Sequence, residues 1–171
     1  MFTLEIIKTD LENNTQFLKN TIADIPEKVL MQEPGPDQWS IHTILDHLRV
    51  TDKGVYRLCK TEATPTDRSP MLIINQMKEK FKNRDVKLPA PKTVLPYYDG
   101  KSKDELIMEL EEIRSLMIDQ GEALGWYEVL DGFPHPITGT MTRLEWLYFS
   151  IYHTERHILQ IDSTLSQLKI G

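Results

Sequence analysis

Late in the chain the sequence reads His153-Thr154-Glu155-Arg156-His157, two imidazoles four residues apart. On a helix that spacing is one turn, so both rings can reach a single ion. A third imidazole, His47, lies in the segment Trp39-Ser40-Ile41-His42-Thr43-Ile44-Leu45-Asp46-His47-Leu48. Three nitrogen ligands leave one position of a tetrahedral ion open, as in catalytic zinc sites, whereas structural zinc is normally closed by four protein ligands. Such an ion lowers the pKa of a bound water or thiol and makes a nucleophile without a nearby base. Zinc is the first expectation, and nickel, manganese, iron or cobalt are compatible because imidazoles select weakly among them. The same spacing also arises where histidines are hydrogen-bonded residues at the edge of a core, and spacing alone leaves both readings open.

The remaining candidates are weaker. Gln160 is expected to hydrogen-bond near the ligand rings or to pack structurally, since amides are poor zinc ligands. On a helical wheel His47 lies about 80° from the apolar stripe of its segment, close enough to point inward, while His42 lies about 140° away and is expected to face water. Phe133-Pro134-His135-Pro136 reads as a rigid loop. His135 precedes His153 by about 20 Å or more if the interval is helical, which places it outside the coordination sphere. Cys59, about 18 Å of helix beyond His47, is expected to be a buried, inert thiol. Tyr97-Tyr98-Asp99-Gly100 suggests a turn whose aromatics line a pocket or cover core. Lys78, Lys80, Lys82, Arg84 and Lys87, interrupted by Glu79 and Asp85, fit a solvated helix face. Asp46 is the nearest acid and points elsewhere on the wheel, so no catalytic acid or base is nominated.

What positions these residues is set by the ten prolines, which are excluded from helix interiors and leave four long proline-free windows. They run Met1 to Ile25, Asp37 to Thr64, Tyr97 to Phe133 and Ile137 to Gly171, with a shorter one from Met71 to Leu88. Each carries apolar residues at three- and four-residue steps, as in Leu4, Ile7, Leu11, Leu18, Ile22. Ser40 is a plausible N-cap, and Ser102-Lys103-Asp104-Glu105 and Thr142-Arg143-Leu144-Glu145 are capping-box patterns. No segment alternates with a period of two, so nothing predicts a sheet. Four amphipathic helices hide their stripes against one another, which predicts an all-α four-helix bundle. The short window predicts an extra helix in the long connection between the second and third long helices, roughly Thr61 to Gly100, and that length allows a crossover.

Composition narrows the functional classes. At 171 residues the chain is expected to be a single metal-binding helical domain over 1–171. Twenty basic against 26 acidic residues give a net charge of −6, which argues against a nucleic-acid partner. Apolar runs such as Met71-Leu72-Ile73-Ile74 fall far short of a membrane span, so no membrane partner is expected. No secretory signal is visible and the single cysteine excludes thiolate clusters and internal disulfides, so a cytoplasmic location is the default.

Two stretches carry a family resemblance. Trp39-Ser40 followed by His47-Leu48 resembles the opening W-S-x-x-x-x-x-x-H-L of the DinB/YfiT-like superfamily. His135-Pro136-Ile137-Thr138-Gly139, then Leu144-Glu145-Trp146-Leu147, then His153 and His157 with Gln160-Ile161 resemble its closing H-P-x-x-G … E-W-L … H-x-x-x-H-x-x-Q-I. The resemblance covers nearly the whole chain, although about Thr61 to Asp131 matches only as a helical pattern. It implies a four-helix bundle with up-down-down-up connectivity and a divalent ion held by His47, His153 and His157. Some relatives have an acidic residue at the position of His153, so the site here is expected to be all-imidazole. The resemblance further implies a metal-dependent enzyme acting on a small-molecule substrate. The leading expectation is an S-transferase, or a related hydrolase or isomerase, acting on a small electrophile with a low-molecular-weight thiol such as bacillithiol, mycothiol or glutathione. A homodimer is a family-level expectation. Many members have no assigned reaction, and the competing class is a non-catalytic metal-binding bundle, a stress-associated interaction or structural module.

Overall fold

The computed structural model describes residues 3–83, 95–97 and 99–168. Arg84, Asp85 and Lys87 of the basic stretch, Tyr98 of the turn, and the end of the window that closes at Leu88 lie outside the described residues. Among the described residues six helices form, α1 (Leu4–Ile22), α2 (Glu27–Leu30), α3 (Ile41–Cys59), α4 (Pro70–Lys82), α5 (Lys103–Leu124) and α6 (Arg143–Gln167). Among the described residues there is no strand, only isolated antiparallel bridges such as Val129 with Thr142. No helix is long and apolar enough to cross a membrane.

The helix starts follow from local chemistry. Ser40 accepts the N–H of Thr43, and both capping boxes close, Ser102 with Glu105 and Thr142 with Glu145. Each satisfies backbone donors that a helix start leaves open. Two elements depart from the proline partition. Pro70 stands inside the first turn of α4, where its fixed φ and missing N–H cost nothing. Pro26 opens the one-turn helix α2 instead of merely ending the preceding window. At the other end of α5, Gly125 takes a φ of 88°, a conformation that needs no Cβ, and stops the helix.

Side-chain pairs fix the directions of the long helices. Between α1 and α6, Tyr148 donates to Asp10 at 2.5 Å and Asn14 to the Ile151 carbonyl at 3.1 Å, so the two run parallel. Along α3 and α5 the pairs Arg49–Glu109 and Asp52–Arg114 advance together, so these too run parallel. In contrast, Lys8–Glu122 and Lys19–Glu111 run α1 against α5, and Arg143 donating to the Cys59 carbonyl beside the His47–His153 contact runs α3 against α6. The result is an up-down-down-up four-helix bundle. The parallel α3–α5 pair requires a connection that travels back along the bundle, and α4 lies in that connection, packed on α6.

The core is split by a polar layer. One apolar cluster gathers Leu18, Ile44, Leu48, Leu106, Ile158 and Ile161, and a second gathers Leu11, Val55, Met117, Leu144, Leu147 and Ile151. At the level between them, buried Arg114 donates to Asp52 at 2.8 Å, to Asn14 at 3.0 Å, to Thr15 at 2.7 Å and to Thr154 at 2.6 Å. One guanidinium thus ties α1, α3, α5 and α6 together.

His42 does not face water. It is 3% exposed, and its Nε2 donates to the Lys101 carbonyl at 2.8 Å. The wheel referred every residue to one apolar stripe, but α3 sits between two neighbours. Its second face is covered by α5 and the segment entering it, where Asp46 also accepts from the Tyr97 N–H at 2.7 Å and pairs with Arg49. Tyr97 and Asp99 therefore cover this face, with the Arg49 guanidinium 5.5 Å from the Tyr97 ring.

Removing one partner of the buried Arg114–Asp52 pair strands the other charge. Arg114→Leu is expected to lower the unfolding free energy by about 3–5 kcal/mol in urea denaturation. The Arg114→Leu/Asp52→Leu double variant is expected to lose less than the two singles combined.

Candidate metal centre

His47 comes from the middle of α3, and His153 and His157 from successive turns of α6. The antiparallel packing of those helices brings the three rings together. Nε2 of His153 lies 3.2 Å from Nε2 of His47 and 3.0 Å from Nε2 of His157. One ligand atom from each residue lies within 4.8 Å of the others, and all three residues are buried. The rings stand at large angles to one another, 68°, 71° and 87°, as three donors aimed at one point from different directions would.

Hydrogen bonding among these nitrogens does not account for the arrangement. A neutral imidazole nitrogen is either an N–H donor or a single lone pair. Nε2 of His153 faces two others at once, so it cannot satisfy both with one proton or one pair. A cation accepting three lone pairs satisfies all of them. Tetrahedral zinc with bonds of about 2.0–2.1 Å sets its nitrogens about 3.3 Å apart, close to the spacing found. The three histidines could hold a metal ion, and the donor set fits one.

The surroundings keep His153 neutral and the three rings oriented. Burial, and then the neighbouring His157 and His47, hold His153 well below the ordinary histidine value, so its lone pair is available at neutral pH. Phe149 stacks on His153 at 5.3 Å and 11°. Trp39 packs 4.9 Å from His47 and lies nearly parallel to His157 at 6.4 Å. Nδ1 of His157 donates to Oε1 of Gln160 at 2.9 Å, leaving Nε2 free to point inward. Gln160 therefore hydrogen-bonds to one of the candidate rings. Nδ1 of His153 is buried and meets no acceptor among the described residues.

The group opens on a cleft of about 1770 Å³ whose walls include Trp39, His47, Phe149, His153, His157 and Gln160. His135 also lines it. It lies outside the three-nitrogen group, but the expected separation of a long helical interval does not hold. α6 begins only at Arg143, and the preceding loop folds back, with His135 and Gly139 exchanging backbone hydrogen bonds of 2.9 and 2.8 Å. A single phenyl ring, Phe149, separates His135 from His153, at 5.2 Å and 5.3 Å respectively. Cys59 is buried and its thiol is pushed up to about 12 by burial, against a smaller opposing effect of Arg143, so it is inert at neutral pH. Of the aromatic walls, Trp146 and Phe149 share the helical sector of His153, His157 and Gln160, and Phe81 carries no such mark in the sequence. Phe149 carried a usable signal, standing one helical turn before His153, whereas Phe81 is brought in only by the return of α4 along α6.

The family model described as the DinB superfamily matches residues 10–161. A relative from Bacillus subtilis (strain 168), "Uncharacterized protein YuaE", is 26% identical over 154 residues, covering 88% of this chain and 91% of the relative. A solved structure, "Crystal structure of TT2238, a four-helix bundle protein", superposes with a TM-score of 0.58 at 14% identity, covering 94% of this chain and 99% of that one. The last of these speaks for the fold alone.

The Gln160 contact is testable by itself. Gln160→Leu is expected to weaken zinc affinity about 10–100-fold in competition with a chelating dye, because the His157 ring loses the acceptor that holds its tautomer. Gln160→Glu, which keeps an acceptor, is expected to stay near the parent value.

Proposed function

The chain belongs to the DinB superfamily, and from that premise we propose that His47, His153 and His157 hold a divalent cation, zinc first, at the active site of a metal-dependent enzyme. The reaction proposed is thiol-dependent S-transfer to a small electrophile, or a related hydrolysis or isomerisation. A low-molecular-weight thiol serves as co-substrate. The observation that carries this reading is the opening of the three converging nitrogens onto a cleft large enough for small molecules.

When bound, such an ion supplies Lewis acidity, drawing charge from a thiol or water so that it reacts as an anion near neutral pH. The chain's own groups do the rest. His153 stays neutral because its surroundings penalise the imidazolium, so protons do not compete for its lone pair. Gln160 fixes the tautomer of His157. Trp39, Phe149 and Phe81 surround the rings with apolar surface, which excludes water from their backs and strengthens electrostatic effects inside. No side chain is assigned as catalytic acid or base.

A non-catalytic ion would be expected in a closed site with four protein ligands. Among the described residues the group contains three, and it faces a cleft. That openness weighs for the enzymatic reading over a structural or interaction module.

Purified protein is expected to carry about one metal per chain by elemental analysis, and His153→Ala to lose it while retaining helical circular dichroism. Equal metal content in that variant would refute the ligand set. With the metal in place, loss of an electrophile is expected to depend on glutathione, bacillithiol or mycothiol and to stop on chelation. A rate indifferent to chelation would overturn the metal's catalytic role, and a rate indifferent to thiol would move the reaction to hydrolysis or isomerisation.

A further inference from the structure

The cleft changes character at the three histidines. Because α3 and α6 run antiparallel, residues after His47 on α3 face those before His153 on α6. On that side the walls include Val55, Leu58, Trp146 and Phe149, with Phe81 of α4 and Phe133 of the loop before α6, beside Thr51 and Arg57 of α3. On the other side they are Gln160, Ser163 and Gln167 of α6 with Asp37 and Gln38. The histidine group therefore stands where an aromatic arm meets a polar arm.

The aromatic arm contains two N–H donors that meet no acceptor among the described residues. The indole Nε1 of Trp146 is buried and has no acceptor among the described residues. His135 has its tautomer set by its own loop. Its Nδ1 accepts the Ile137 N–H at 3.3 Å and faces the Thr138 hydroxyl at 3.2 Å, so the proton resides on Nε2. Among the described residues no group accepts from that Nε2–H. The ring stands edge-on to Phe149 at 5.2 Å and to Trp146 at 5.9 Å. Its position is rigid. Gly139 turns the loop at a φ of 74°, and Lys80 holds the Ile137 carbonyl at 3.3 Å. Burial, with a smaller contribution from Lys80, holds His135 below the ordinary histidine value, so the ring is a neutral donor at neutral pH.

The Trp146 N–H, buried against apolar rings, loses hydration without gaining a partner among the described residues, a cost that a ligand bearing an acceptor removes, and the Nε2–H of the adjacent His135 offers that acceptor a second donor. Aromatic walls meeting at steep angles favour a flat ring over a puckered one, since a flat ring can stack on one wall while taking the edge of another. We propose that the aromatic arm binds a planar aryl group whose carbonyl or nitro oxygen accepts a hydrogen bond from Nε2 of His135. The inference deepens the proposed function by naming the class of the electrophile, and it rests on that reading only for the cleft being the substrate site, not for the metal.

The test uses the full chain, metal-free and zinc-loaded, titrated with three neutral probes while the Trp146 indole and the histidine ring resonances are followed by NMR. Acetophenone offers a flat ring and an acceptor, ethylbenzene the ring alone, and cyclohexyl methyl ketone the acceptor on a puckered ring. Acetophenone is expected to bind about tenfold tighter than either of the others. His135→Ala is expected to erase its advantage over ethylbenzene, and His135→Gln, which keeps a donor, to restore part of it. Should His135→Ala fail to fold, the Gln variant and the probe series in the parent chain carry the decision. Equal affinities for the three probes, a selectivity unchanged in His135→Ala, or shifts at Ser163 and Gln167 in place of Trp146 would overturn the proposal. Because the metal-free arm reads binding without metal, failure here and failure of the metal reading are separately visible.

Discussion

The structure depends on one buried guanidinium. Arg114 of α5 enters the middle of the bundle and donates to residues of α1, α3 and α6. Burying such a charge is tolerable only when a counter-charge and enough acceptors surround it, and a planar fork of five N–H donors meets that demand only when the helices stand in one register. Two of its partners adjoin the candidate ligands. Thr154 follows His153 directly, and Asp52 lies little more than a turn beyond His47. Sliding α3 past α6 by one turn would unmake the ion pair and separate the imidazoles together. The site inherits its geometry from an interaction that takes no part in its chemistry.

How far the sequence carried differs by the range of the interaction. The helix starts were legible because a cap is a contact across three residues, as Ser102–Glu105 and Thr142–Glu145 show. The pairing of His153 with His157 was legible for the same reason, one turn of helix fixing their common face. The inward bearing of His47 followed from its wheel, but that of His42 did not, because a wheel has no knowledge of a second neighbour. Asp52 and Arg114 stand 62 residues apart and neither carries a local mark of the other. The separation of His135 from His153 was overestimated because the distance along a chain is a distance in space only while the chain stays helical, and here it turns back at Gly139.

The cleft has a division of labour that follows from topology. An antiparallel helix pair presents the early half of one helix beside the late half of the other, so a gradient along α6, aromatic before His153 and amide- or hydroxyl-bearing after it, becomes a gradient along the groove. Phe149 belongs to both parts, touching His135 on one side and His153 on the other. Substitutions there couple the loop to the imidazole group, and their effects are not expected to add.

The separation of 106 residues between His47 and His153 has a bearing on synthesis. A growing chain exposes His47 long before His153 and His157 leave the ribosome, and it cannot close the long loop between them until α6 has been made. Until then a lone histidine has no companions and holds cations loosely. Any ion held there would meet its three donors only in a chain that is almost finished, when the bundle already dictates how far apart those donors stand.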